Sequence, residues 1–84
     1  MNARTKFGKV LKEKVLTKQN REEIGNWAYL VYYERLDEMT DPNFDEILLT
    51  LNKMELGPEF AFFYEKLNEI ADNLILGNEV NLEY

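Results

Sequence analysis

The sequence contains no histidine, no cysteine and no serine. It therefore lacks the commonest general base and zinc ligand, and it can form neither disulfides nor thiolate metal sites. Two usual nucleophiles of covalent catalysis are missing, and no histidine is present to activate a threonine. The glycines are widely spaced and form no phosphate-binding loop. We expect a non-enzyme without cofactor or metal, and the missing cysteine favours a reducing, cytoplasmic setting.

Long hydrophobic runs are also absent, since none approaches the roughly 20 residues that span a bilayer. The first residues are basic and lack the apolar core and small-residue cleavage site of a signal peptide. With 84 residues, 45% of them hydrophobic, the chain has the composition of a small folded protein. We expect one domain over residues 1–84, with no membrane contact.

Charge is distributed unevenly along the chain. Residues 1–21 contain seven basic side chains and one acidic, residues 22–84 contain three basic and fifteen acidic, and the net charge is −6. An acidic body repels nucleic acid and attracts basic proteins. We call residues 1–21 the basic leader. For this leader the sequence leaves three interpretations open: packing on the chain's own acidic part, solvation, or contact with nucleic-acid phosphates. Its small apolar face argues against adsorption to a membrane.

The hydrophobic spacing predicts two helices in the first half of the chain. The first covers about 3–15 and the second about 19–38. The first lies in a basic stretch, residues 1–16, and the sequence leaves open whether this stretch packs on the rest of the chain. The buried side of the first is predicted to hold Phe7, Val10, Leu11 and either Val15 or Leu16. That of the second is predicted to hold Ile24, Trp27, Ala28, Val31 and Arg35, widened by Leu30, Tyr33 and Leu36. Asn20 or Thr17 is the expected N-cap of the second helix, and Gly25 should let a neighbouring helix approach closely.

Two further helices are predicted in the second half. Asp41-Pro42 starts the third, because aspartate caps well and proline is favoured at the first helical position. Its stripe is Phe44, Ile47, Leu48, Leu51 and Met54, and Gly57-Pro58 should end it through a left-handed cap. The fourth covers about 59–76 with a stripe of Phe60, Phe63, Tyr64, Leu67, Ile70, Ala71 and Leu74, and it stops at Gly77-Asn78. The fold class is all-α: a compact domain of three to four helices with short connections and a short non-helical C-terminal tail.

Residues 32–46 form the candidate functional segment, which concentrates acidic and aromatic side chains. The start Asp41-Pro42-Asn43-Phe44-Asp45 matches a calcium loop, but Glu46 stands where that loop needs glycine and Asn52 where it needs glutamate. A catalytic carboxylate pair needs a cleft, and we expect these acids at solvated helix ends. We predict instead a face that binds a protein, because tyrosine anchors interfaces and carboxylates attract a basic partner. Its residues are Tyr32, Tyr33, Glu34, Asp37, Glu38, Asp41, Asp45 and Glu46, with Tyr32 the more exposed tyrosine. A solvated corner with one core tyrosine is the alternative.

The order of several short motifs resembles small bacterial immunity proteins, the cytoplasmic antidotes that bind and neutralise a cognate toxin domain, often a nuclease. The motifs are Leu16-Thr17, Glu22-Glu23-Ile24, Trp27-Ala28, Asp41-Pro42 with Leu48 and Leu51, and Tyr64-Glu65-Lys66-Leu67. Here Tyr32-Tyr33 is followed by Glu34, not by the proline of the nuclease-colicin immunity proteins, so no binding residues are transferred from that group. The resemblance implies an inhibitor that occludes a basic toxin surface.

Two other functional classes remain open at this stage. The chain could be a small regulatory or adaptor protein that forms a homodimer through the aromatic residues 60–64, or a nucleic-acid binder that uses the basic leader. The acidic body makes the second of these the weaker prediction.

Overall fold

A computed structural model of the chain describes residues 3–34, 41–80 and 82. The α-helices are α1 (Ala3–Leu16), α2 (Arg21–Glu34), α3 (Pro42–Asn52) and α4 (Tyr64–Leu76). Single 3₁₀ turns occupy Lys53–Glu55 and Pro58–Phe60. Every regular element in these residues is helical, which confirms the all-α fold class. None of the described helices has the length and apolar character needed to cross a membrane.

The chain divides into two compact units. The terminal unit combines Met1–Gln19 with Phe62–Tyr84 and contains α1 and α4, and the central unit is Asn20–Ala61 with α2, α3 and both 3₁₀ turns. A single domain over residues 1–84 stays a prediction.

In the terminal unit the basic helix α1 packs on α4 through its apolar stripe. Phe7, Leu11 and Val15 are buried there, whereas Val10 and Leu16, which we also considered for this stripe, are exposed. Gly8 permits a very close approach, because a Cβ at this position would lie 2.8 Å from the Ala71 carbonyl oxygen. The sequence left open whether α1 docks. It packs on α4 through three apolar residues spaced four apart, and Gly8 beside them allows the close approach.

The end of α1 is closed by a Schellman motif built on a lysine. Lys18 has a left-handed backbone (φ 55°). The N–H of Gln19 donates to the Lys14 carbonyl at 2.9 Å, and the N–H of Lys18 donates to the Val15 carbonyl at 3.0 Å. Glycine is usual at such a position, since a side chain there is strained. The Tyr64 hydroxyl donates to the Gln19 carbonyl at 2.8 Å and therefore stabilises this turn.

Helix α4 begins at Tyr64, five residues later than predicted. Pro58–Phe60 forms a 3₁₀ turn, and Ala61 (ψ 131°) and Phe63 (ψ 154°) are extended. Phe60 and Phe63 therefore do not lie on one side of a helix, although their spacing is helical. Phe62 is consequently buried at 3% exposure and Phe63 is 76% exposed, which corrects the predicted stripe.

The C-terminal end of α4 matches the prediction. Gly77 adopts φ 80° and closes a second Schellman motif, in which the Asn78 N–H donates to the Asn73 carbonyl at 2.9 Å. In the tail beyond it, Val80 is buried and the Asn78 carbonyl accepts a hydrogen bond from the Arg4 guanidinium. This part of the tail is thus tied to the terminal unit.

In the central unit α2 and α3 form an antiparallel pair. Gly25, near the start of α2, faces the end of α3: a Cβ there would lie 2.9 Å from the Leu51 carbonyl oxygen. This confirms the predicted close approach. The expected N-cap is also found, because the Asn20 side chain accepts from the Glu22 N–H at 2.7 Å. The predicted end of α2, including Arg35 and Leu36, lies outside the described residues.

Helix α3 begins as predicted and ends earlier. The Asp41 carboxylate accepts from the Phe44 N–H at 3.1 Å, Pro42 occupies the first turn, and the predicted stripe from Phe44 to Met54 is buried. The α-helix gives way to a 3₁₀ turn after Asn52, so Gly57 is not its cap. Gly57 has φ 156° and ψ 167° instead of the predicted left-handed conformation, and it precedes the next 3₁₀ turn.

Candidate protein-interaction face

The antiparallel pair brings two parts of the predicted face to one end of the central unit. The last turn of α2 carries Tyr32, Tyr33 and Glu34, and the first turn of α3 follows Asp41. Because the helices run in opposite directions, the end of α2 and the start of α3 lie side by side. Asp37 and Glu38, which we also assigned to the face, lie outside the described residues.

The exposed aromatic side chains are not the ones predicted. Tyr33 is 62% exposed and Tyr32 is half-buried, which reverses the expected order. The buried side of α2 is narrow and centres on Ile24 and Ala28. At 100° per residue, Leu30 and Tyr33 lie about 200° and about 140° around the helix from Ala28 and so point away from that side. Their assignment to the core was therefore wrong.

Tyr29 belongs to the same exposed surface and was missed by the sequence reasoning. It is 41% exposed, and its ring centroid lies 6.5 Å from that of Tyr33, with 31° between the ring planes. The two tyrosines are four residues apart, the spacing that places side chains together on a helix. That spacing could have identified Tyr29 from the sequence. We call Tyr29, Leu30 and Tyr33 the tyrosine stripe.

The carboxylates of the face differ in exposure. Glu34 and Glu46 are exposed, and Asp41 is half-buried in its role as N-cap. Asp45 is only 7% exposed, which corrects the expectation of a solvated acid. It follows Phe44 and precedes Leu48 by three positions, so it lies at the margin of the buried stripe of α3. The accessible acids of the face are therefore Glu34 and Glu46, with Asp41 in part.

The negative charge of the chain lies in the central unit, because the basic residues 1–19 fall in the same unit as the acidic residues 62–84 and nearly neutralise them. The central unit contains ten carboxylates and three cations, a net charge of −7, whereas the terminal unit contains six carboxylates and seven cations, a net charge of +1. Within the terminal unit the Lys12 ammonium pairs with Asp72 of α4, and the Lys18 ammonium lies 4.7 Å from the centre of the Tyr64 ring. Several cations of the basic leader thus have partners inside their own unit.

The outer side of α3 forms a shallow groove beside the face. Its lining residues are Pro42, Asp45, Glu46, Leu49, Thr50 and Lys53. These positions repeat at three and four residues, so the groove follows one side of a single helix. Across the described part of the chain, histidine, cysteine and carboxylate side chains form no group of three that could hold a metal ion. The arrangement offers an open, partly apolar surface that carries one exposed carboxylate, Glu46, and one exposed cation, Lys53.

No protein-family model matches this chain, and no curated protein or solved structure is significantly similar to it.

Proposed function

We propose that this protein is a non-catalytic binding module that docks on a basic surface of another protein through its central unit. The observation that carries the proposal is the exposed tyrosine stripe on a unit with a net charge of −7. Large exposed aromatic side chains bring rigid contact area to an interface, and carboxylates around them select and attract a cationic partner.

The mechanism is occlusion. Glu34 and Glu46 take positions that anionic groups of the partner's natural ligand would occupy, and Tyr33 is desolvated against the partner. Carboxylates raise the association rate through long-range attraction, and buried aromatic area lowers the dissociation rate. A basic surface that normally binds nucleic-acid phosphates is the best match for such a blocker.

We further propose that the partner is a toxin domain, often a nuclease, and that the protein is its immunity protein in the bacterial cytoplasm. The order of short motifs that resembles small immunity proteins supports this, and so does the residue content, which provides neither histidine nor cysteine for catalysis. The gene directly upstream is then expected to encode a protein that stops growth when expressed alone. Co-expression of the present chain should restore growth, and growth arrest that persists despite co-expression would reject the toxin assignment.

The binding face is tested with two charge-reversal variants of equal net charge. Glu34→Lys/Glu46→Lys alters the face, and the control Glu65→Lys/Glu79→Lys alters exposed carboxylates of the terminal unit. The partner is captured with the wild-type protein, identified by mass spectrometry, and its association rate is measured at low and high salt. We expect the face variant to slow association at low salt by about tenfold or more and the control by much less. Equal slowing by both variants would mean that only net charge matters and would reject the face.

A second candidate is an adaptor that self-associates through its aromatic residues. Phe63 favours it, because this side chain is 76% exposed at the start of α4. The mass of the protein in solution distinguishes the two functions. Light scattering over a range of concentrations should give about 10 kDa, the mass of one chain, if the protein is the binding module. A dimer that Phe63→Ala dissociates would favour self-association.

A further inference from the structure

We propose that the Tyr29–Tyr33 pair is the docking site for an arginine side chain of the partner. The inference rests on the proposed function and specifies which basic residue the acidic face receives. It follows from the geometry of the two rings and from the charge that surrounds them.

The two rings lie close together, and both are open to solvent. Their centroids are 6.5 Å apart, their planes differ by 31°, and both side chains are exposed. A planar group inserted between two rings needs about 7 Å, twice an optimal carbon contact distance, and parallel ring planes. The pair does not offer that space. A cation therefore lies across the outer faces of the rings and contacts both.

Electrostatics select a cation for this surface. Aromatic faces carry negative partial charge and attract a guanidinium or ammonium group within about 6 Å of the ring centre. Glu34 follows Tyr33 directly and is exposed, and the unit around the pair has ten carboxylates against three cations. The surrounding negative charge adds attraction for a cationic side chain that a neutral or anionic one does not receive, so the occupant is basic.

The shape of the pair selects arginine over lysine. The guanidinium is planar, weakly hydrated and able to stack on a ring while its N–H groups bond to a carboxylate in a forked geometry. The lysine ammonium is a compact, strongly hydrated charge that cannot stack. Two neighbouring exposed rings on a unit rich in carboxylates present a stacking surface in an acidic environment, which matches the guanidinium.

The test compares hexa-arginine and hexa-lysine peptides, which carry the same charge. Each is titrated into the wild-type protein at low salt, and binding is followed through the backbone amide signals of residues 29–34. We expect hexa-arginine to bind about two- to fivefold tighter, the factor that one exposed cation–π contact provides. In Tyr29→Leu/Tyr33→Leu the ratio of the two affinities should fall toward one, and circular dichroism should show that the helix is retained, since leucine favours helix more than tyrosine does.

A matched control removes an exposed aromatic ring elsewhere. Phe63→Leu should leave the affinity ratio at its wild-type value. Equal binding of both peptides to the wild-type protein, or a ratio that survives the loss of both tyrosines, would overturn the arginine inference and leave the acidic face in place. If neither peptide binds the wild-type protein, the acidic face itself fails, and the proposed function fails with it.

Discussion

Replacement of Gly25 by alanine is the sharpest test of the packing in the central unit. In an ordinary exposed helical position this change stabilises a protein, because alanine exceeds glycine in helix propensity by about 1 kcal/mol. At Gly25 the added methyl group would lie 2.9 Å from the Leu51 carbonyl oxygen and 3.4 Å from that of Asn52. Backbone oxygens cannot rotate away, so α2 and α3 must separate.

The magnitude follows from two opposing terms. Overpacking of a close contact costs about 1–3 kcal/mol, and the propensity gain returns about 1 kcal/mol. We expect a net loss of about 1 kcal/mol in the free energy of unfolding. For a chain of this length that loss lowers the melting temperature by about 4–8 °C.

The assay is thermal and urea unfolding followed by circular dichroism. Asn26→Ala is the matched control, since it changes the next residue of the same helix at an exposed position. The control should be neutral or slightly stabilising because alanine is the better helix former. A melting temperature of Gly25→Ala at or above that of the wild-type protein would refute the close approach of the two helices.

Two hydrogen bonds give further predictions. Tyr64→Phe removes the hydrogen bond to the Gln19 carbonyl and should lower the free energy of unfolding in urea by about 1 kcal/mol. The control Tyr33→Phe, at an exposed position, should have no measurable effect. Equal stabilities of the two variants would contradict the Tyr64 contact. Asp41→Ala removes the cap on the Phe44 N–H and should lower the free energy of unfolding by about 1 kcal/mol, whereas Asp41→Asn should keep most of the wild-type stability. An alanine variant as stable as the asparagine variant would argue against the cap.

Sequence reasoning was most reliable where a strong start signal coincided with a regular stripe. In α3, Asp41-Pro42 fixed the first turn, and each residue of the predicted stripe is buried. For α4 the same reasoning placed the start too early. Phe60, Phe63 and Leu67 have helical spacing, but the segment before Tyr64 contains a 3₁₀ turn and extended residues, which bury Phe62 instead. Spacing alone does not distinguish a helix from a turn that is stabilised by packing.

Exposure within the candidate site could be predicted from the sequence only in part. The acidic segment could be identified from composition, but exposure within it depends on the rotation of each helix about its axis. On α2 the small residues Gly25 and Ala28 determine that rotation, because they allow the closest packing. Tyr33 therefore points to solvent. Asp45 is buried because it lies at the margin of the buried stripe of α3, and both outcomes depend on tertiary packing.

Under the proposed function, the division of charge lets a modest net charge direct a basic partner. The net charge of −6 is the sum of a terminal unit near neutrality and a central unit of −7, so the acidity is concentrated in 42 residues. At physiological ionic strength fields decay over about 8 Å, and a partner therefore responds to the local charge near its contact and not to the total. Attraction should come from the central unit, and the same unit exposes the tyrosine stripe. Rapid association and a slow release would then depend on different side chains of one face, which is why charge variants should act on the first and tyrosine variants on the second.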